Sequence, residues 1–202
     1  MLRRKSDEGS GQQPQAAADP VELAEQRLLG QVAARHLLAF EALYRNYHPR
    51  LARFLDRVTR RPSLVGELLN DTMLVVWNRA DRYNGQSKVS TWIFAIAYRK
   101  ALKALQRLDE PLEEEEAQQR PSDEAGPEQR VAQQELHEAL LRALGGLSAE
   151  HRAVVDLTYF HGAAYREIAQ IVDCPVDTVK TRMFHARRRL KTLLAGRLED
   201  WL

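Results

Sequence analysis

Apolar residues recur at helical spacing along nearly the whole chain and at strand spacing almost nowhere, which predicts an all-α protein. From Val21 to Arg57 one long stripe runs through Leu23, Leu28, Leu29, Val32, Leu37, Leu38, Phe40, Leu43, Tyr44, Tyr47, Leu51, Phe54 and Leu55. Pro49 lies inside it and marks either a kink or the first turn of a second helix. Tyr44 and Tyr47 sit beside Leu43 and Leu51 at helical spacing, so they read as core rather than as rings for stacking bases. Pro62-Ser63 opens a further helix with Ser63 as its cap. Leu64, Leu68, Val75 and Val76 lie to one side of that helix, while Asn70, Asp71 and Arg79 leave another face polar. It fades around Ala80–Tyr83, and Asn84-Gly85 starts a turn that extends to Lys88, since this dipeptide tolerates positive φ.

Ser90 is the expected cap of the helix over 89–108. Stepping round it by about 100° per residue, Ile93, Phe94, Ala97, Ala101, Ala104, Leu105 and Leu108 share a side. Arg99, Lys100, Lys103 and Arg107 share the opposite one. Helical periodicity resumes over 128–143 and stops at Gly145-Gly146. Ser148 then caps a helix over 149–160, which His161-Gly162 closes. Tyr165–Val172 is a short amphipathic helix. Asp173-Cys174-Pro175 breaks it, because proline lacks an N–H and disfavours helical geometry in the residue before it. Another helix follows at once, and two short helices about a tight turn form a helix-turn-helix.

Charge changes this picture more than composition does. The net charge of +2 over 202 residues conceals segregation: the charges of 109–128 are almost all acidic, including Glu113–Glu116, and no acid lies between Asp177 and Glu199. Like charges and prolines make 109–128 a flexible acidic linker between two helical domains. It serves either as a solvated spacer or as an acidic strand lying in a basic channel, as a nucleic acid would. Residues 1–20 are too polar to offset ordering entropy and read as a disordered tail, and 197–202 as a short C-terminal tail. The single cysteine, Cys174, fits a reducing, cytoplasmic setting. No apolar run approaches the roughly 20 residues a membrane span needs, so no membrane insertion is expected.

On the last helix Val179, Met183, Ala186 and Leu190 share one narrow arc, which must pack inward. Thr181, Phe184, His185 and Arg188 face away, with Asp177 and Thr178 at the leading end and Lys180, Arg182, Arg187 and Arg189 on the flanks. Short polar groups and one ring suit a major-groove floor, and the flanking cations suit its phosphate walls. A merely solvated basic face is the alternative. The turn, the amphipathic split and the absence of acids together favour DNA. In the first domain the small polar groups of Asn84–Lys88 either form a solvated connection or hydrogen-bond an extruded base. The stripe from Arg99 to Arg107, next to Tyr83, Trp92 and Tyr98, is either a soluble face or a track for strand-separated DNA. No metal or cofactor is expected, since the six histidines fall without ligand pairing and no phosphate-binding glycine loop occurs. The chain does not read as an enzyme.

The order of these segments resembles bacterial sigma factors of the extracytoplasmic-function type, group 4 of the sigma-70 family. The likeness rests on Phe40-Glu-Ala-Leu-Tyr-Arg-Asn-Tyr47, on Glu67-Leu-Leu-Asn-Asp-Thr-Met-Leu-Val-Val-Trp77, and on Tyr83 to Ala97. It continues in Leu147 to Leu157 and from Tyr165 onwards. The resemblance implies a region 2 domain over 21–108 and a region 4 domain over 129–196. Core RNA polymerase, through its β′ coiled coil and β flap, and promoter DNA are the implied partners, with an anti-sigma protein as a further candidate. Asn70, Asp71, Met73, Leu74 and Trp77 would grip the polymerase. Asn84, Gly85, Gln86, Ser87 and Lys88, with Ser90, Thr91 and Trp92 nearby, would hold a flipped base of the −10 element; extrusion costs on the order of a few kcal/mol. Arg99, Lys100, Lys103 and Arg107 would follow phosphates. The −35 element would fall to Asp177, Thr178, Lys180, Thr181, Arg182, Phe184, His185, Arg187 and Arg188. Two positions depart from the family pattern, Asp177 where glycine is frequent and His185 where arginine is. The rival reading is a stand-alone helix-turn-helix regulator with a sensing or dimerising bundle, which has no reason to carry the 67–97 motifs.

Overall fold

In the computed structural model, residues 19–108 and 142–198 are described, the last four of them for the backbone alone. The acidic linker, most of the helix expected over 128–143, nearly all of the tail over 1–20 and residues 199–202 lie outside the described residues. Among the described residues there is no strand.

Asp19 accepts a hydrogen bond from the Val21 N–H at 2.9 Å, and Pro20 occupies the first position of α1 (Pro20–Ala33), where its missing donor costs nothing. The first break falls at Arg35, in left-handed geometry with φ 66, and not at Pro49. Pro49 instead lies inside α2 (Leu37–Thr59). It is exposed, as is Arg45 one turn before it, so the carbonyl that proline leaves unpaired sits on the solvent side. Ser63 is not the cap of α3 (Pro62–Arg79); Arg61 holds that place and Pro62 is the first residue. A 3-10 turn over Ala80–Arg82 leads to α4 (Val89–Leu108). Ser90 lies inside this helix, whose first N–H, that of Val89, is satisfied by Glu22 Oε1 of α1 at 3.0 Å.

In the first module α2 packs against α1, α3 and α4 around Leu43, Tyr47, Leu51, Phe54, Met73, Ile93 and Phe94, all at most 2% exposed. Each such side chain contributes roughly 1.5–3 kcal/mol on burial. Tyr47 keeps its polar end satisfied by donating to Glu25 at 2.7 Å. Burial, and then the neighbouring carboxylate, push its phenol far above the ordinary range. Leu37 and Leu38, part of the apolar stripe, are not in this core: they are 68% and 80% exposed.

The second module holds α5 (Ala149–Tyr159), α6 (Tyr165–Val172) and α7 (Val176–Leu198). Ser148 caps α5 as expected. Asp173, with φ 51, ends α6. Val179, Met183 and Ala186 are buried against α5 and α6. The last helix runs through Leu198, past residue 197, where the tail is expected to begin.

The two modules pack together. α5 lies on α2 and α6 lies on α4. Arg152 of α5 donates to the Val58 carbonyl from Nε at 3.1 Å and from Nη2 at 2.7 Å, which satisfies an orphan carbonyl at the end of α2. Burial pulls that guanidinium down to about 10. Arg57 of α2 pairs with Asp156 of α5 at 2.8 Å, the carboxylate being only 3% exposed.

Candidate nucleic-acid and polymerase interfaces

The loop after the 3-10 turn is built rather than slack. Gly85 has φ 72, a conformation glycine adopts without a Cβ penalty. Asn84 Oδ1 accepts from the Gln86 N–H at 3.1 Å, an Asx-turn that fixes the loop tip. Tyr83 donates to the Ser87 carbonyl and lies 3.4 Å from Glu22. Thus Glu22 of α1 steadies both the loop and the start of α4. The side chains of Asn84 and Gln86 are left exposed at the tip.

Beside this loop, between α3 and α4, runs a groove of about 360 Å³ lined by Val75, Arg79, Arg82, Trp92, Ile96, Arg99, Lys100 and Lys103. Trp92 is half-buried and tilted against Tyr83 with ring centroids 5.8 Å apart. Of the five cations, only Lys100 has an ion-pair partner among the described residues, Asp71 at 2.7 Å. An unneutralised basic trough with an aromatic platform is the physical requirement for holding a single strand. Of the residues marked from sequence for the −10 element, Trp92, Arg99, Lys100 and Lys103 come together here. Arg79 and Arg82 were missed for this role; they follow Val75 by four and then three residues, at the end of α3 and in the 3-10 turn after it, which is the signal that could have found them.

Other expected −10 residues are placed differently. Thr91 is 4% exposed, on the face of α4 one turn from Ala95 and two turns from Tyr98. Tyr98 is buried near Arg182, Glu150 and Cys174 of the second module, and burial pushes its phenol up to about 12. Thr91 is therefore not open to a base in this arrangement, because α6 covers that face. Ser90 is half-buried. Lys88 is tied to Glu167 of α6 at 2.6 Å. Donating a hydrogen bond to the Glu167 carboxylate raises the Lys88 ammonium. Burial alone would raise Glu167, yet Lys88 and the Ala164 N–H hold it below the ordinary carboxylate range.

On α3, the residues marked for polymerase divide between two faces. Leu74 is 56% exposed. Asn70 is exposed and accepts from the Tyr44 hydroxyl at 3.1 Å. Trp77 is half-buried, edge-on to Phe40 at 5.1 Å, with the Arg35 guanidinium 5.4 Å from its ring. Asp71 faces α4 through Lys100. Met73 is 1% exposed and points into the core, so it positions the helix and offers no surface. The exposed Leu37 and Leu38 at the start of α2 add apolar area on this module.

On α7 the outward side carries Thr181, Phe184, His185, Arg187 and Arg188, all exposed, with Phe184 at 62%. Asp177 pairs with Lys180 at 2.9 Å and does not cap the helix; its carbonyl accepts from the Thr181 hydroxyl at 2.9 Å. Thr178 is half-buried. Arg187 donates from Nε to the Tyr159 hydroxyl at 3.2 Å. Arg182 turns inward: it is half-buried, with Nη1 4.0 Å from Cys174 Sγ, because it adjoins the Val179–Met183–Ala186 arc on the side that meets α4. Next to this surface His151 is held below the ordinary imidazole range, first by burial and then by Arg182 and His185. Among the described residues no cluster of metal-ligating side chains occurs, and no helix is long and apolar enough to cross a membrane.

Comparison with known proteins bears on the two modules. A family model described as Sigma-70 region 2 matches residues 43–110, and one described as Sigma-70, region 4 matches residues 137–190. The ECF RNA polymerase sigma-E factor of Escherichia coli (strain K12) is 27% identical over 179 residues, covering 84% of this chain and 93% of that protein. The ECF RNA polymerase sigma factor SigK of Mycobacterium sp. (strain JLS) is 28% identical over 172 residues, 83% of this chain and 89% of that one. Among solved structures, the sigma factor RpoE of Bartonella quintana, in complex with the anti-sigma factor NepR, aligns with TM-score 0.59 at 25% identity, covering 77% of this chain and 96% of that one. CnrH, solved with the cytosolic domain of CnrY, shares the fold with TM-score 0.65 at 24% identity, over 86% of this chain and 99% of that one.

Proposed function

The chain belongs to the sigma-70 family as an extracytoplasmic-function sigma factor, and we propose how its two modules share the reading of a promoter. As an alternative sigma factor it binds core RNA polymerase and promoter DNA to start transcription. A stand-alone regulator is not favoured, since the Sigma-70 region 2 match spans 43–110. It acts without catalysis and works in the cytoplasm.

The observation that carries the division of labour is the α3–α4 groove, where Trp92 sits among five cations, in the same chain as a helix-turn-helix with a basic outer face. The non-template strand lies in the groove with a base stacked on Trp92. Asn84 and Gln86 meet the edge of an extruded base, and Arg79, Arg82, Arg99 and Lys103 meet phosphates. Thr181, Phe184, His185 and Arg188 face the floor of the −35 major groove, while Lys180 and Arg187 meet its walls. Asn70, Leu74 and Trp77 receive the polymerase, and a partner of the anti-sigma class, such as NepR is in the RpoE complex, would compete for the same surfaces.

Promoter reading requires the modules to part. Elements centred about 25 bases apart are separated by roughly 85 Å of duplex at 3.4 Å per step. The longest helices here have 23 residues, about 35 Å at 1.5 Å each, so two modules in contact cannot reach both elements. The linker 109–128 can span roughly 70 Å when extended, which together with the breadth of the modules themselves is enough. Run-off transcription with core polymerase tests the reading. A transcript whose start depends on both elements is expected, whereas no core binding and no promoter-dependent transcript would overturn it.

A further inference from the structure

A second basic cleft lies at the junction of the modules, apart from the α3–α4 groove. Arg50, Arg53 and Arg57 form one wall and Phe160 and His161 the other, around about 190 Å³. The three arginines fall at i, i+3 and i+7 on α2 and so share a face, a row about 10 Å long at 1.5 Å per residue.

Charge in this cleft is not balanced. Arg53 is exposed, and no hydrogen bond or ion pair engages it among the described residues. Arg50 has Glu25 at 3.6 Å, beyond hydrogen-bond range, and its guanidinium rests over Tyr47 and Phe94 at 5.0 and 5.6 Å. Only Arg57 is closely paired, to Asp156 at 2.8 Å, and its guanidinium stacks 3.7 Å from the Phe160 ring centre. His161 packs 4.6 Å from Phe94 with its side chain 9% exposed. Its Nε2 lies 3.1 Å from Asp156 Oδ2, yet neither atom has an aligned hydrogen bond. Like charges held side by side in a half-enclosed cleft repel strongly unless an anion joins them.

We propose that this cleft binds a compact oligophosphate, either an inorganic chain of two or three phosphates or the phosphate tail of a nucleotide. Guanidinium forks match phosphate oxygens two at a time, and a row of three suits linked phosphates better than a lone carboxylate. The cleft has about half the volume of the 360 Å³ groove, which suits a few phosphates rather than a run of nucleotides. One wall belongs to α2 of the first module and the other to the turn after α5 of the second. The ligand therefore bridges the modules and favours the packed state by linkage. Binding itself is independent of promoter reading; only its consequence for transcription rests on that reading.

Calorimetry on the full chain, without polymerase, tests the site with inorganic triphosphate, ATP and orthophosphate. Saturable one-to-one binding of triphosphate is expected below about 1 mM, with orthophosphate much weaker. Arg53→Gln, at an exposed position with no partner to lose, should weaken it by about tenfold or more. Phe160→Ala should weaken it too, since that wall is supplied by the other module. Tighter binding of ATP than of triphosphate assigns the site to nucleotides, and equal binding to the inorganic chain. The proposal is overturned by absence of saturable binding, by undiminished binding in Arg53→Gln, or by saturation with single-stranded oligonucleotide alone.

Discussion

Asp71 stands on α3 but holds Lys100 of α4 at 2.7 Å, so a residue expected to face the polymerase also sets the charge of the groove proposed for DNA. The carboxylate is half exposed, and such pairs stabilise by only about 0–1 kcal/mol. Asp71→Asn should therefore leave stability nearly unchanged while freeing one cation. The salt dependence of single-stranded DNA binding should then steepen by about 0.7 in logarithmic slope, as fluorescence titrations over a range of salt concentrations would show. An unchanged slope would place Lys100 outside the phosphate path. Trp92 carries the opposite kind of contribution. Trp92→Ala should cost about 1–3 kcal/mol in affinity for a single-stranded −10 fragment, the worth of one stacked base, with the salt slope unaltered.

At the scale of elements, α3 shows what each face does. Met73→Ala should destabilise the fold by about 2–5 kcal/mol, seen as a lower midpoint in urea, because the side chain is 1% exposed. Leu74→Ser should leave that midpoint almost unmoved and weaken binding to core polymerase. If Leu74→Ser bound core unchanged, the polymerase would meet another face. Helical period and the helix-turn-helix were legible in the sequence because they are local: Val179, Met183 and Ala186 declare their arc by spacing alone. Caps were less legible. Ser63 and Ser90 look like caps, but Pro62 takes the first position of α3, and the first amide of α4 is satisfied by Glu22, 67 residues away. Leu37 and Leu38 continue an apolar stripe, yet the turn at Arg35 redirects the chain and leaves them outside the core. Thr91 was marked for DNA by the family resemblance and Arg182 by its place on the flank of α7, and no local pattern announces that α6 docks on α4.

For the whole molecule, the packed junction has its own electrostatics. The Glu167 carboxyl, depressed below its ordinary 4.5, contributes stability that is present above that value and is lost as pH falls through the lower folded value. Lys88, raised above its ordinary 10.5, contributes stability that is present below that value and is lost as pH rises through the higher folded one. The contact should thus hold unchanged between roughly pH 5 and 10 and weaken at both ends. Hydrogen exchange at α6 amides, compared with those of α3, would report it. In Glu167→Gln the α6 amides should exchange faster across that whole window, and equal protection in the two proteins would show that the pair does not hold the modules together.

The account as a whole turns on two modules that touch in the free chain and part to read two elements. Labels at the exposed positions Asn78 and Gln170, with Cys174 replaced by serine, measure this separation directly. In the free chain the distance should be short and narrowly distributed. In complex with core polymerase and promoter DNA it should lengthen by several tens of ångströms, on the order demanded by about 25 bases of duplex. A distance that stays the same in an actively transcribing complex would contradict the account.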